Sequence, residues 1–564
     1  MSNRDTAVAI HQHRGADILA RALSRAGVRQ LFSLSGNQIM PVYDASLDAG
    51  LTITHVRHEG AAVHMADAWG RLAGEPGIAL LTGGPGHANG IGPLHTALAA
   101  ESPMVLLSGH APLNQLGRGA FQEIAQADMA APLTKLSFTA SSAEGLGGDI
   151  ARAIRVARSG RPGPVHLSLP FDVLENVVKD PYACMPDEDD FFADAQALPV
   201  ATAENILALI QQAQRPLIIT GPMLASSRGQ NLRDQLARAT TAPVLCMESP
   251  RGINDPCLGV VGEVIAESDL VLLLGKQPDF TLRFGAVPAV SENCRFVVID
   301  PDINILRQSL ATLGHARVLL NAVADVPAAM HRLIETAGKI HVETTAWMTR
   351  VTDATAYRPA DWKTAVATQP ETVHALEIGR AVQKILDDAD DPILVVDGGE
   401  FGQWAQACIS TTTRIINGPA GSIGSAIPFA LAARVARPNA TVVALLGDGT
   451  FGFHMAEFDT AVRHRLPFVL VIGNDSCWNA EHQIQLRTYG KDRTIGCELQ
   501  PGAAYEKVVA ALGGHGERVT RAEDLPGALE RAVKSKLPAC VNVMITRTPA
   551  PTVSRTGATG GGAH

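Results

Sequence analysis

Apolar positions along this chain fall into short runs separated by alanine-rich stretches, and the alternation occurs in three blocks. In the first, Gly15 to Gly27 patterns as an amphipathic helix and Gln30 to Leu34 as a strand; Leu51 to Val56, Gly77 to Leu81, Pro103 to Leu107 and Val165 to Leu169 follow as strands. Strands alternating with helices predict a parallel sheet covered on both faces. The second block opens with a helix near Ala203 to Gln214 and carries strands at Pro216 to Thr220, Pro243 to Cys246, Leu270 to Leu274 and Phe296 to Ile299. The third carries Ile393 to Val396, Arg414 to Ile416, Thr441 to Leu446, Phe468 to Ile472 and Cys540 to Ile545.

The fold class is thus α/β, with three doubly wound parallel-sheet domains expected at 1–185, 200–340 and 370–550 and a flexible tail at 551–564. Asp180, Pro181, Pro186 and the acidic run Asp187 to Asp190 read as a solvated linker, and roughly Ile340 to Thr372 as a second. Thr546 to His564, rich in Pro, Gly, Ser and Thr, is expected to be loose. The first and third blocks share an element pattern without a strong residue-level repeat.

Composition narrows the function classes. The 564 residues suit about three domains, and 46% hydrophobic with 18% charged residues describes globular domains with ample core. A formal net charge of -9 argues against a nucleic-acid surface. The start lacks an apolar leader and no long apolar run follows, so no membrane span and a cytoplasmic location are expected. Eight scattered cysteines without a CxxC pair read as reduced thiols.

The stretch from Leu445 to Trp478 carries the chemistry. An apolar run ends in Gly447, Asp448 and Gly449; a helical segment follows with Met455, Phe458 and Val462 on one face; a second strand ends in Asn474 and Asp475. Acidic groups at the carboxyl ends of neighbouring strands lie where open parallel sheets bind ligands. Two such oxygens suit magnesium, which offsets the charge of a diphosphate approached by the glycine turn and the helix start.

A GDG followed one helix and one strand later by an Asn-Asp pair resembles the thiamine diphosphate fingerprint, in the acetolactate synthase and benzaldehyde lyase branch of that superfamily. The resemblance implies pyrimidine-binding, central and diphosphate-binding domains. It implies magnesium held by the side chains of Asp448 and Asp475 and the main-chain oxygen of Cys477, with Thr450 and Trp478 beside the cofactor. Asp475 stands where the family usually has asparagine. In DGGEFGQW, Gly399, Glu400 and Phe401 match a loop that contacts the diphosphate, with Glu400 replacing a glutamine. In NGPAGSIGSAIP, the main-chain oxygen of Gly421 and the amide of Ile423 match contacts to the pyrimidine, and the Ile423 side chain matches the wedge between the two rings.

On the first block the resemblance makes Glu59, in HVRHEG, the acid that exchanges a proton with the aminopyrimidine. Gly84, Pro85 and Asn89, in TGGPGHANG, match the turn facing the cofactor. Phe121 and Gln122, in AFQE, match the substrate side of the thiazolium, Gln122 as a catalytic candidate. Ser35, Asn37 and Gln38 match the loop shaping the substrate pocket. His87 and His110 read as structural histidines. Glu59 and Asp448 meet across subunits in the family, which implies a homodimer or a dimer of dimers with two-fold symmetry.

The expected reaction is carbon-carbon cleavage, ligation or decarboxylation of a 2-oxo acid or 2-hydroxyketone. A 2-hydroxyacyl-CoA lyase or oxalyl-CoA decarboxylase is the alternative, and a non-catalytic nucleotide-binding relative is the alternative from another class. Phe280 to Gly285, with Asp300 and Pro301, resembles the edge of a central domain that holds FAD or a coenzyme A nucleotide in some branches; an empty or vestigial domain is the plainer expectation.

Overall fold

The computed structural model describes residues 13–338 and 345–555. The polar lead, the opening of the second linker and the end of the tail (1–12, 339–344 and 556–564) lie outside the described residues. The first sheet contains β1 (Gln30–Ser33), β2 (Thr52–His55), β3 (Gly77–Leu81), β4 (Met104–His110), β5 (Leu136–Thr139) and β6 (Pro164–Pro170). Its order is β2-β1-β3-β4-β6-β5, with every pair parallel. The central sheet contains β7 (Pro216–Thr220), β8 (Val244–Cys246), β9 (Leu270–Leu274), β10 (Arg295–Asp300) and β11 (Val318–Val323), in the order β11-β10-β9-β7-β8.

The third sheet contains β12 (Pro392–Val396), β13 (Thr413–Ile416), β14 (Thr441–Gly447), β15 (Val469–Asn474), β16 (His515–Val519) and β17 (Ala539–Met544), ordered β13-β12-β14-β15-β17-β16. Counted from its own first strand, this is the order of the first sheet, so the shared element pattern is a shared topology. Each sheet has a switch point where the strand order reverses: β1/β3, β7/β9 and β12/β14. Crevices at such points, outside the carboxyl ends of the strands, are where open α/β sheets bind ligands.

Strands buried on both faces are legible as apolar runs: β3 and β15 are buried at every position. The strands that the hydrophobic pattern does not announce are β5, β11 and β16, and each is an edge strand. An edge strand is covered less completely, and β11 alternates between half-buried and exposed positions accordingly.

Two expectations need correction. Met455 does not share the buried face of Phe458, because the Asp448–His454 helix stops and a new one, Glu457–Arg463, begins; Met455 is 40% exposed and Phe458 fully buried. The acidic run Asp187 to Asp190 of the first linker is exposed, as expected, while Asp187 and Asp190 cap a short helical turn whose Phe191 is buried in the core of the first block. The second linker contains a helix, Ala346–Ala356, that buries Trp347 and Val351 on the central domain.

The described part of the tail, up to residue 555, is held as well. Trp404 Nε1 donates to Pro549 O at 2.9 Å, Asn479 Nδ2 donates to Thr548 O at 2.9 Å, and Val553 packs on the central core. Its composition conceals this because main-chain carbonyls make the polar contacts.

The first and third blocks share one apolar core, in which the Glu59–Ala73 helix packs on the Ala426–Ala436 helix through alanines. Small side chains let the two backbones approach closely. Arg71 Nη1 donates to Ile416 O at 2.7 Å, and the buried Glu457 accepts from Arg57 N at 3.1 Å. Among the described residues no helix is long and apolar enough to cross a membrane.

Candidate cofactor and metal site

Strands β14 and β15 end side by side, Gly447 opposite Gly473, and deliver Asp448 and Asp475 to one place. Asp448 is 2% exposed, and its Oδ2 has no hydrogen-bond partner among the described residues. Burial pushes its carboxyl up to about 6, against the pull of the nearby amides, including those of Gly449 and Ser476. Asp475 is pushed up to about 8 by burial and by the charge of Asp448, against the pull of Arg547.

Two neighbouring acids, one raised by the other's charge and the other with an orphaned buried oxygen, form a donor set suited to a hard cation. The turn that aims them is strained: Ser476 has φ +56°, unusual for a residue with a side chain. Thr450 Oγ1 donates to Gly447 O at 2.9 Å and fixes the glycine turn. The Trp478 ring lies over Gly449, where a Cβ would come within 2.7 Å of it.

Across the switch point, β12 is followed by Asp397, a buried carboxylate outside the residues that the resemblance marks. It accepts from the amides of Gly398, Gly424 and Ala426 at 2.8, 3.0 and 3.2 Å, and burial raises it to about 6. Asp397 therefore ties the Gly399 turn to the glycine-rich segment holding Gly421 and Ile423. Asn417 braces the same segment, its Nδ2 donating to Ser422 O at 2.9 Å. A Cβ on Gly398 would come within 2.9 Å of the Ile423 side chain. Glu400 turns toward Arg251 of the central domain at 3.8 Å, and the Phe401 ring covers Gly473. The usable sequence signal for Asp397 is positional: it follows β12 as Asp448 follows β14.

The first block builds a second patch at its own switch point. Glu59 opens its helix, is 9% exposed and accepts from Asn89 Nδ2 at 3.1 Å. His58 caps that helix, its Nδ1 accepting from Gly60 N. Gly84, with φ +58°, donates its amide to Gln126 Oε1 at 2.8 Å, and a Cβ there would strike the Gln122 carbonyl. Pro85 starts the Pro85–Ala99 helix that carries Asn89.

Gln38 joins this patch by donating to Gln122 Oε1 at 2.9 Å and accepting from Thr82 Oγ1. Thr82 and Gln126 hold the turn and carry no motif that marks them. Ser35 Oγ lies 3.1 Å from His55 Nε2, Asn37 opens a short helical turn, and Phe121 is 74% exposed. His87 is buried against Ser108 and His166, and burial lowers it to about 4.

Beside Glu59, the ring of His58 packs against that of His454 on the third block, 5.9 Å between centroids. His454 ends the helix that Asp448 begins, about 9 Å away at 1.5 Å per residue. The Glu59 carboxylate accepts from Asn89 of its own domain.

The central switch point is filled from the first block. Arg161 donates to Gly275 O, to Asp300 and to Glu101, and Glu101 accepts from Met223 N at 2.9 Å. A nucleotide seated there would have to displace this buried ion cluster. Phe280 to Gly285 forms a short turn on the surface side, with the Phe280 and Phe284 side chains about half exposed.

Comparison with protein families matches three models: residues 13–129 to the N-terminal TPP binding domain of thiamine pyrophosphate enzymes, 203–333 to their central domain and 397–543 to their C-terminal TPP binding domain. A "Probable acetolactate synthase" of Mycobacterium bovis is 32% identical over 551 residues, covering 96% of this chain and 97% of that protein. A "2-hydroxyacyl-CoA lyase" of Oryza sativa subsp. japonica is 26% identical over 94% of this chain and 95% of its own length. The human "2-hydroxyacyl-CoA lyase 2" is 27% identical over 95% of this chain and 90% of its own length.

Proposed function

The chain belongs to the thiamine pyrophosphate enzymes, and on that premise we propose that it is a magnesium-dependent carbon-carbon lyase, carboligase or decarboxylase of 2-oxo acids or 2-hydroxyketones. The observation that carries the site assignment is the Asp448–Asp475 pair at the third sheet's switch point, with Asp448 buried and its Oδ2 orphaned. When bound, thiamine diphosphate supplies a carbanion that attacks a carbonyl and an electron sink for the bond that then breaks.

The chain's own groups divide the remaining work. Asp448, Asp475 and the main-chain oxygen of Cys477 hold magnesium, and the helix start at Gly449 and Thr450 faces the diphosphate. Gly399, Glu400 and Phe401 close that side, with the Phe401 ring serving as packing against Gly473. Gly421 and Ile423 receive the pyrimidine, and Asp397 keeps their segment in place. Glu59 holds the proton exchanged with the pyrimidine ring, and Asn89 orients its carboxylate. Gln38 and Gln122 present a paired polar edge to the substrate, beside Ser35, Asn37 and Phe121.

A complete site formed in a homodimer with two-fold symmetry, or in a dimer of dimers, is supported by the Glu59 carboxylate accepting from Asn89 of its own domain. Eight free thiols fit a reducing cytoplasm. The acyl-CoA alternative is favoured by one feature, a cavity of about 800 Å³ between the central and third domains, lined by Arg233, Lys363, Arg380 and Trp362. A substrate panel with magnesium and thiamine diphosphate separates the readings. Pyruvate condensation or hydroxyketone cleavage supports the first; cleavage confined to 2-hydroxyacyl-CoA replaces it with the second.

A further inference from the structure

We infer that Cys477, His482 and Glu498 form a second cation site, for a divalent ion of the zinc class, beside the acid pair and distinct from it. One ligand atom from each residue lies within 4.8 Å of the others. The frame under them is main-chain bonded. Cys477 follows β15 and pairs with Glu498 in an antiparallel bridge, flanked by Trp478 N to Cys497 O at 2.7 Å and Leu499 N to Ser476 O at 2.9 Å. His482 stands in the first turn of the Asn479–Tyr489 helix, its amide donating to Trp478 O at 3.0 Å.

An independent observation points to a ligand: His482 Nδ1 is buried and has no hydrogen-bond partner among the described residues. A ring nitrogen taken from water without a partner is costly, and coordination relieves that cost. A thiolate sulfur, an imidazole nitrogen and a carboxylate oxygen make a zinc donor set of three protein ligands with the fourth position open. Magnesium prefers an all-oxygen set, which the acid pair offers instead.

Charge sets the balance at the site. Arg547 opposes a cation, since it pairs with both Glu498 oxygens at 2.9 and 2.6 Å, while Asp475 and Glu481 add negative charge nearby. An ionised carboxylate has lone pairs enough to keep Arg547 and still ligate. Binding moves the Cys477 thiol proton to solvent as the sulfur–metal bond forms.

The test uses the full chain saturated with magnesium and thiamine diphosphate, titrated with Co²⁺ as the spectroscopic probe. The expected result is one cobalt per chain with a thiolate-to-metal charge-transfer band in the near ultraviolet, displaced by Zn²⁺. His482→Ala and Glu498→Gln should each weaken cobalt binding, His482→Ala by more than the roughly 100-fold typical of losing an outer-shell partner. Unchanged circular dichroism would verify their folding, and either variant suffices if the other fails to fold. Absence of the band in the wild-type chain, or a band undiminished in a folded variant, overturns the inference.

Discussion

Asp475 faces Asp448 at the joined ends of β15 and β14, and the negative charge of Asp448 adds to burial in holding the Asp475 carboxyl up to about 8. Without a cation, the site therefore carries a proton at neutral pH.

That proton must leave when magnesium arrives. Calorimetry in buffers of different ionisation enthalpy should find about one proton released per metal at pH 7, with affinity rising about tenfold per pH unit until it levels above pH 8. In Asp475→Asn the release and this slope should disappear while binding persists through Asp448.

The same shift sets a stability trend for the metal-free protein. The folded value of Asp475 lies above its unfolded value of 3.8, so its contribution is fully present below that value and is lost as pH rises through about 8. Metal-free thermal unfolding should fall in midpoint between pH 6 and 8, and Asp475→Asn should flatten that fall.

Asp397 accepts three main-chain amides, and an asparagine replaces one accepting oxygen with a donor. Asp397→Asn should cost roughly 1–3 kcal/mol in chemical unfolding and weaken thiamine diphosphate binding, because the Gly421–Ile423 segment loses its anchor.

Glu59→Gln should slow exchange of the cofactor's C2 proton by roughly 10²- to 10⁴-fold, followed by NMR, while magnesium binding stays intact. Mixing inactive Glu59→Gln and Asp448→Asn chains should restore about a quarter of wild-type activity. Half the dimers are then mixed, and each has one intact site. No recovery after verified subunit exchange would count against a shared site.

Much of this site is legible in the sequence because its parts sit at strand ends, where an apolar run stops at a glycine and an acid; Asp448 and Asp475 both announce themselves this way. Asp397 does so less clearly, since DGG reads as an ordinary turn until the sheet order shows β12 beside β14. Thr82, Gln126 and Arg547 act through long-range contacts to side chains or carbonyls, which leave no local pattern. The edge strands β5, β11 and β16 and the anchored tail escaped for a related reason, having little apolar surface of their own to bury.

Equilibrium binding of thiamine diphosphate to metal-stripped protein, with and without added magnesium, tests the central claim most directly. Wild-type chain should bind it tightly only with the metal, and Asp448→Ala should lose that metal-dependent gain while remaining folded. Equal binding without metal, or an undiminished gain in Asp448→Ala, would contradict the assignment of the acid pair.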